Sequence, residues 1–187
     1  MLKDYYGTTG IVWTKFHQLM LDKGWIADQP AYVEETARHT LIEIAEGDWW
    51  LRDECWLGMN RQSGHVQMTW QRIPVFTATY EGDIYKDEVR ELVRQAITAG
   101  YENDDFFGFR GPEKYPPNRK DVSMYYSNLY LKKTLPFQDF TPEYRAHDGI
   151  GEEAVCLDKP DHPCRFKILG MVTWLYRVYQ GQNIITK

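Results

Sequence analysis

The chain has 187 residues, a net charge of −5, and hydrophobic and charged fractions of 43% and 26%. That balance is ordinary for one globular domain, and a chain of this length buries roughly 70% of its unfolded surface. The acidic excess without a Lys/Arg run argues against a nucleic-acid or anionic-membrane binder, and no apolar stretch approaches the ~20 residues of a membrane span.

The start, Met1 to Tyr6, has no apolar run like that of a secretory signal. Three cysteines, Cys55, Cys156 and Cys164, are an odd and low number, which suggests reduced thiols and a cytoplasmic location. Aromatic residues make up 15%, with seven Trp and thirteen Tyr. That exceeds the needs of a core this size, so some rings are expected to line a groove, pocket or interface.

Thr8-Thr9-Gly10 reads as a helix start. Ile11, Val12, Phe16, Leu19 and Met20 follow at helical spacing, and Gly24 stops the run. Ala27 to His39 is polar and fits a short helix or an irregular loop. From Leu41 the period becomes alternating. Leu41 to Ala45 is a predicted strand, Glu46-Gly47-Asp48 a turn, and Trp49 to Leu57 a second strand. His65 to Gln71 puts Val66, Met68 and Trp70 on one side. Arg72-Ile73-Pro74 is a short connection, and Val75 to Tyr80 completes an antiparallel meander.

Tyr85 to Ala99 is a predicted helix with Val89, Leu92, Val93 and Ile97 as its apolar stripe and Gly100 after its end. Asn103 to Lys120 is a loop rich in Gly, Pro and charge. Strand character resumes at Val122 to Leu131. Pro136 to Gly149 is a polar connection, and Glu153 to Leu157 and Arg165 to Tyr179 are predicted strands.

The second half echoes the first. Trp49-Trp50 and Tyr125-Tyr126 open the two copies, and Tyr80-Glu81-Gly82 and Tyr179-Gln180-Gly181 close them. The expected fold is therefore α+β: a twisted antiparallel sheet from two related β meanders, covered by an N-terminal helix and a central helix. The expected organisation is a single domain, 1–187. It comprises an N-terminal helical segment (1–40), a first meander (41–82), a helix (83–100) and a second meander (121–181).

The residues also carry a resemblance. Leu41-Ile42-Glu43 followed by Glu46-Gly47-Asp48-Trp49, Arg52-Asp53 and Leu57-Gly58 resembles an uncharacterised bacterial domain. That domain is often fused C-terminal to XRE-type helix-turn-helix domains. Ile73-Pro74-Val75-Phe76, Phe109-Arg110-Gly111-Pro112-Glu113, Gly151-x-Glu153 and Tyr179-x-Gly181 extend the likeness over residues 41–181. It implies a stand-alone version of that domain, with fold rather than activity carried over. It also brings Glu153 to notice; in the first half Gly64-His65-Val66 lacks the corresponding Glu.

One face of the 49–57 strand carries Trp50, Arg52, Glu54 and Trp56. The other carries Trp49, Leu51, Cys55 and Leu57, the natural core face, with Asp53 as its exception. Charge between two Trp suits a flat or cationic ligand or a protein partner. The alternative is a cross-strand ion pair shielded by rings. Arg110, set before Gly111-Pro112, suits a carboxylate or phosphate, or else an internal pair that anchors its loop. Cys156, His162 and Cys164, with Asp158 and Asp161, have metal-ligand chemistry but match no common zinc spacing, so no metal or cofactor is expected. The scattered His17, His39, His65 and His147 sit in no recognised motif.

The expected ligand surface is Trp50, Arg52, Glu54, Trp56, Tyr80, Arg110 and Glu153, with no catalytic residue assigned. The leading function is a non-catalytic ligand- or effector-binding regulatory module, whose partner is a small molecule or a protein. A homodimer is compatible; nucleic acid and membrane are not expected. One alternative is a protein-interaction protein such as an inhibitor, immunity or anti-defence factor. Another is a small hydrolase using Glu54, Glu153 or a His, for which a deep pocket with strongly shifted titratable groups would speak.

Overall fold

The computed structural model describes residues 7–84, 87–103, 110–116, 124–133, 144–158 and 166–181. Its elements in chain order are α1 (Gly7–Lys23), β1 (Tyr32–Glu35), β2 (His39–Glu46), β3 (Trp49–Leu57), β4 (Arg61–Trp70), β5 (Ile73–Ile84), α2 (Asp87–Glu102), β6 (Lys114–Tyr115), β7 (Met124–Lys133), β8 (Tyr144–Asp158) and β9 (Phe166–Gly181). The strands form one nine-stranded sheet in the order β1-β2-β3-β4-β5-β9-β8-β7-β6. Every pairing is antiparallel. Two runs of sequential neighbours, β1 to β5 and β6 to β9, thus meet where β5 lies beside β9. Mixed α+β is the architecture, as the alternating and helical periods predict.

Period-2 alternation sorts the sheet faces. Ile42, Ile44, Leu51, Val66, Met68, Phe76 and Ala78 are at most 3% exposed and share one face. Helix α1 brings Val12, Phe16, Leu19 and Met20 into the same core, the i, i+4, i+7, i+8 stripe of an amphipathic helix. Ile11, expected in that stripe, is 42% exposed. The Phe16 ring lies 4.7 Å from Phe76 of β5 and Trp13 5.3 Å from the same ring, centroid to centroid. Lys15 pairs with Glu46, tying α1 to the end of β2. Helix α2 contributes Val89, Val93, Ala96, Ile97 and Tyr101.

Strand β4 begins at Arg61 rather than His65, and β5 spans Ile73–Ile84, taking in Ile73-Pro74 of the expected connection and running past Tyr80, because both strands pair along their whole length. Four further boundaries depart from expectation. Tyr32–Glu35, read as helix or loop, is the edge strand β1, because its backbone finds partners in β2 although its side chains carry no clear period. Gly100 lies inside α2 rather than after it, since the buried stripe continues to Tyr101. Tyr144 to Gly149, read as connection, extends β8 against β9. Lys114–Tyr115, within the expected loop, forms the short β6. The expected helix start at Tyr85 lies outside the described residues. Between β4 and β5 the turn residues Gln71 and Arg72 take φ of 48° and 67°, the left-handed pair of a two-residue hairpin turn. No helix among the described residues is long and apolar enough to cross a membrane.

Candidate functional site

The alternation that buries Leu51 also buries Asp53, two residues on along the same face of β3, at 6% exposure. Cys55 and Leu57 follow on that face. Opposite them on β4 stand Val66, Gly64 and Gln62. Gly64 in turn faces Tyr80 of β5. A Cβ at Gly64 would clash with the hydroxyl-bearing edge of the Tyr80 ring, so glycine lets the ring lie across β4 towards Cys55. The Arg110 guanidinium stacks over that ring at 4.4 Å from its centroid.

The loop that delivers Arg110 is fastened from below. The Gly111 N–H donates to the Tyr126 hydroxyl at 3.2 Å and the Gly111 carbonyl accepts from Asn128 Nδ2 at 3.0 Å. The Asn128 N–H donates to the Glu113 carbonyl at 2.9 Å. A Cβ at Gly111 would stand 2.8 Å from the Tyr126 hydroxyl oxygen, so only glycine permits this approach. Arg110 is itself 6% exposed.

These residues wall a cleft of about 240 Å³ between the sheet and α2. Asp53, Tyr80 and Arg110 line one part of it, Gln62, Arg90 and Arg94 contribute further polar groups, and Trp25, Tyr32 and Ile42 add apolar surface. Burial pushes the Asp53 carboxyl up to about 7, against the pull of the Arg110 charge. Burial likewise raises the Cys55 thiol, offset in part by its hydrogen bond with Tyr80. It raises the Tyr80 hydroxyl well above its ordinary range.

Four buried side-chain polar atoms lack a hydrogen-bond partner among the described residues: Asp53 Oδ1, Gln62 Nε2, Arg90 Nε and Thr98 Oγ1. Three of these four residues line the cleft. Buried polar groups are nearly always paired in native proteins, and three of the unpartnered ones among the described residues belong to side chains that line this one cavity. Arg90 is positioned by two donations from its NH2 group, to the Gly58 and Met59 carbonyls, both at 3.1 Å. Arg94 is held by Glu91.

The residues predicted as one ligand surface are divided. Tyr80 and Arg110 meet in the cleft. Trp50, Arg52, Glu54 and Trp56 lie on the opposite face of the sheet, where the cross-strand ion pairing weighed from the sequence is found. Arg52 reaches Glu54 at 2.9 Å and Glu43 at 3.5 Å. His39 sits between Glu34 and Glu54, 3.1 Å from each, with its ring 5.5 Å from that of Trp56. Glu153 is paired in the backbone register with Asn128 and Val172; its side chain lies outside the described residues. His162 and Cys164 also lie outside them. Among the described residues no group of three or more His, Cys, Asp or Glu could hold a metal ion.

Sequence reading passed over Asp53, Gln62 and Arg90. The available signal was the carboxylate of Asp53 on an otherwise apolar face, noted as an exception and given no role. Gln62 and Arg90 gave none, because only the fold turns them into one cavity. No protein-family model matches the chain, and no curated protein matches it.

Proposed function

We propose that the protein is a small-molecule-binding regulatory module, and that its ligand enters the cleft between β3, β4, β5, α2 and the Arg110 loop. The observation that carries this reading is the convergence of Asp53, Gln62 and Arg90 on one cavity, each with a buried polar atom left unpartnered. Leaving such groups unmade costs about 1–3 kcal/mol each, a cost that a bound polar molecule removes. The cavity is below the usual range of roughly 300–1,000 Å³ for drug-sized ligands, which favours a small metabolite. The reading includes two related meanders in a single domain, with both helices on the sheet face that bears the cleft. It also includes kinship with the domain found beside XRE-type helix-turn-helix domains. Native mass spectrometry of the purified chain, followed by thermal-shift screening of metabolites, tests it. A ligand whose stabilisation disappears in Gln62→Ala and Arg110→Ala supports it; stabilising ligands that are all indifferent to both changes sink it.

A second reading is an enzyme with Asp53 as a general acid–base. It is favoured by one observation: a carboxyl that titrates near 7 inside a cleft, beside the raised Cys55 and Tyr80. Turnover of a cleft ligand that disappears in Asp53→Asn while binding persists would select this reading over the first.

A further inference from the structure

The cleft has a counterpart in the second meander, and the counterpart is already filled. Gly64 faces Tyr80 across β4 and β5, and Gly151 faces Trp174 across β8 and β9. Tyr80 and Trp174 are themselves opposite one another where β5 meets β9. The two runs are thus related in register about that central pair. Two residues before Cys55, which faces Gly64, stands Asp53, facing Val66. Two residues before Tyr130, which faces Gly151, stands Asn128, facing Glu153. Asp53 and Asn128 therefore hold equivalent positions, and both are buried, at 6% and 0% exposure. The equivalence sets Tyr80 against Trp174 rather than against Tyr179, the counterpart read from the sequence.

What fills the Asn128 position is a peptide group. The Asn128 amide donates to the Gly111 carbonyl and the Tyr126 hydroxyl accepts from the Gly111 N–H. At the Asp53 position Oδ1 has no such partner among the described residues. A carboxyl there accepts an N–H when ionised and donates to a carbonyl when protonated. The nearby Arg110 charge disfavours an ammonium ion and leaves a neutral amide edge as the better fit. The second end of the cleft has the opposite character. Gln62 faces Leu57, four residues along β3 from Asp53 and so roughly 13 Å away at about 3.3 Å per residue. There Gln62 Nε2 and Arg90 Nε are both donors without an acceptor, the arrangement that suits an oxyanion.

We infer that the cleft takes an elongated small molecule with an amide-like edge, an N–H beside a C=O, at Asp53 and a carboxylate or phosphate at Gln62 and Arg90. The inference rests on the cleft-binding reading and names its chemistry. Two kinds of compound share these features: N-acyl peptides, and pyrimidine-type heterocycles bearing a phosphate.

The test is calorimetric titration of the full chain with N-acetyl-glycylglycine, with uridine monophosphate, and with nonanoate, which has the oxyanion but no amide edge. One of the first two should bind at least tenfold more tightly than nonanoate, which also tells the sources apart. Its affinity should fall at least tenfold in both Asp53→Leu and Gln62→Ala. Asp53→Asn, which reproduces the Asn128 chemistry, should retain binding. Should Asp53→Leu fail to fold, amide chemical-shift changes at Cys55 and Gln62 of the unaltered chain on adding the bound probe supply the same information. Nonanoate binding as tightly as the amide probes, with loss in Gln62→Ala, overturns the amide edge but leaves the cleft as a binding site. Failure of all three probes, with no molecule retained in native mass spectrometry, overturns both.

Discussion

Arg110 and Tyr80 are joined face to face, the guanidinium carbon 4.4 Å from the ring centroid, so a loop residue and a strand residue form one wall of the cleft. A desolvated cation over a ring is worth about 2 kcal/mol. Arg110→Ala is therefore expected to lower stability by about that amount. For a chain of this size that is a fall in Tm of roughly 4–8 °C. Arg110→Lys should recover only part, because a compact ammonium does not stack as a planar guanidinium does. A calorimetric melt of both variants checks this, and equal Tm for alanine and the native residue contradicts it.

Gly64 gives a second expectation. A Cβ at this position meets the buried Tyr80 ring, and overpacking of this kind costs about 1–3 kcal/mol. Gly64→Ala should be strongly destabilising in the native background and nearly neutral in a Tyr80→Ala background. Denaturant titrations of the four proteins form the double-mutant cycle, and an interaction energy near zero would remove the ring from its place over β4.

The pH dependence has a definite sign at Asp53. Its carboxyl is raised by burial from 3.8 to about 7, so the folded state holds a proton that the unfolded state has released. Stability from this group is full below about pH 4, declines as pH rises towards 7, and the whole penalty, at most about 4 kcal/mol, is present above 7. Asp53→Asn removes the ionisation and should flatten that part of the profile, gaining on the native chain between pH 5 and 8. Parallel profiles for the two proteins over that interval would refute the buried titration.

His39 has the second pH signature. Its hydrogen bonds to Glu34 and then to Glu54 hold the imidazolium, and its pKa is raised above 6.5. The stabilisation is fully present below 6.5 and fades as pH rises through the raised value. His39→Gln should be less stable than the native chain at pH 5.5, with the difference closing in alkaline solution. Loosening should centre on β1, which Glu34 occupies. Hydrogen exchange of the Tyr32–Glu35 amides at the two pH values reads this directly; unchanged protection argues against it.

Arg52 separates the two sheet faces. Its carboxylate partners are at 2.9 and 3.5 Å and its side chain is 35% exposed, so the pairs contribute at most about 1 kcal/mol. Arg52→Ala is expected to leave ligand affinity unchanged, whereas Gln62→Ala loses it. Loss of binding in Arg52→Ala, with Gln62→Ala unaffected, would return the site to the Trp50–Trp56 face.

Local pattern carried much of this protein. Alternation alone marks β3 at Trp49–Leu57 and separates Leu51 and Cys55 from Trp50 and Arg52. A 3.6-residue stripe marks both helices. These features rest on neighbours close in sequence, which backbone geometry ties together. Strand β1 and the start of β8 escaped because pairing with a neighbour, rather than their own side-chain period, makes them strands. The choice of functional face lay further out of reach. Asp53, Gln62, Arg90 and Arg110 come from three strand and helix segments and a loop, and only the tertiary fold brings them to the wall of one cavity. Burial by distant parts of the chain is what turns a lone carboxylate on an apolar face into a group that titrates near neutrality.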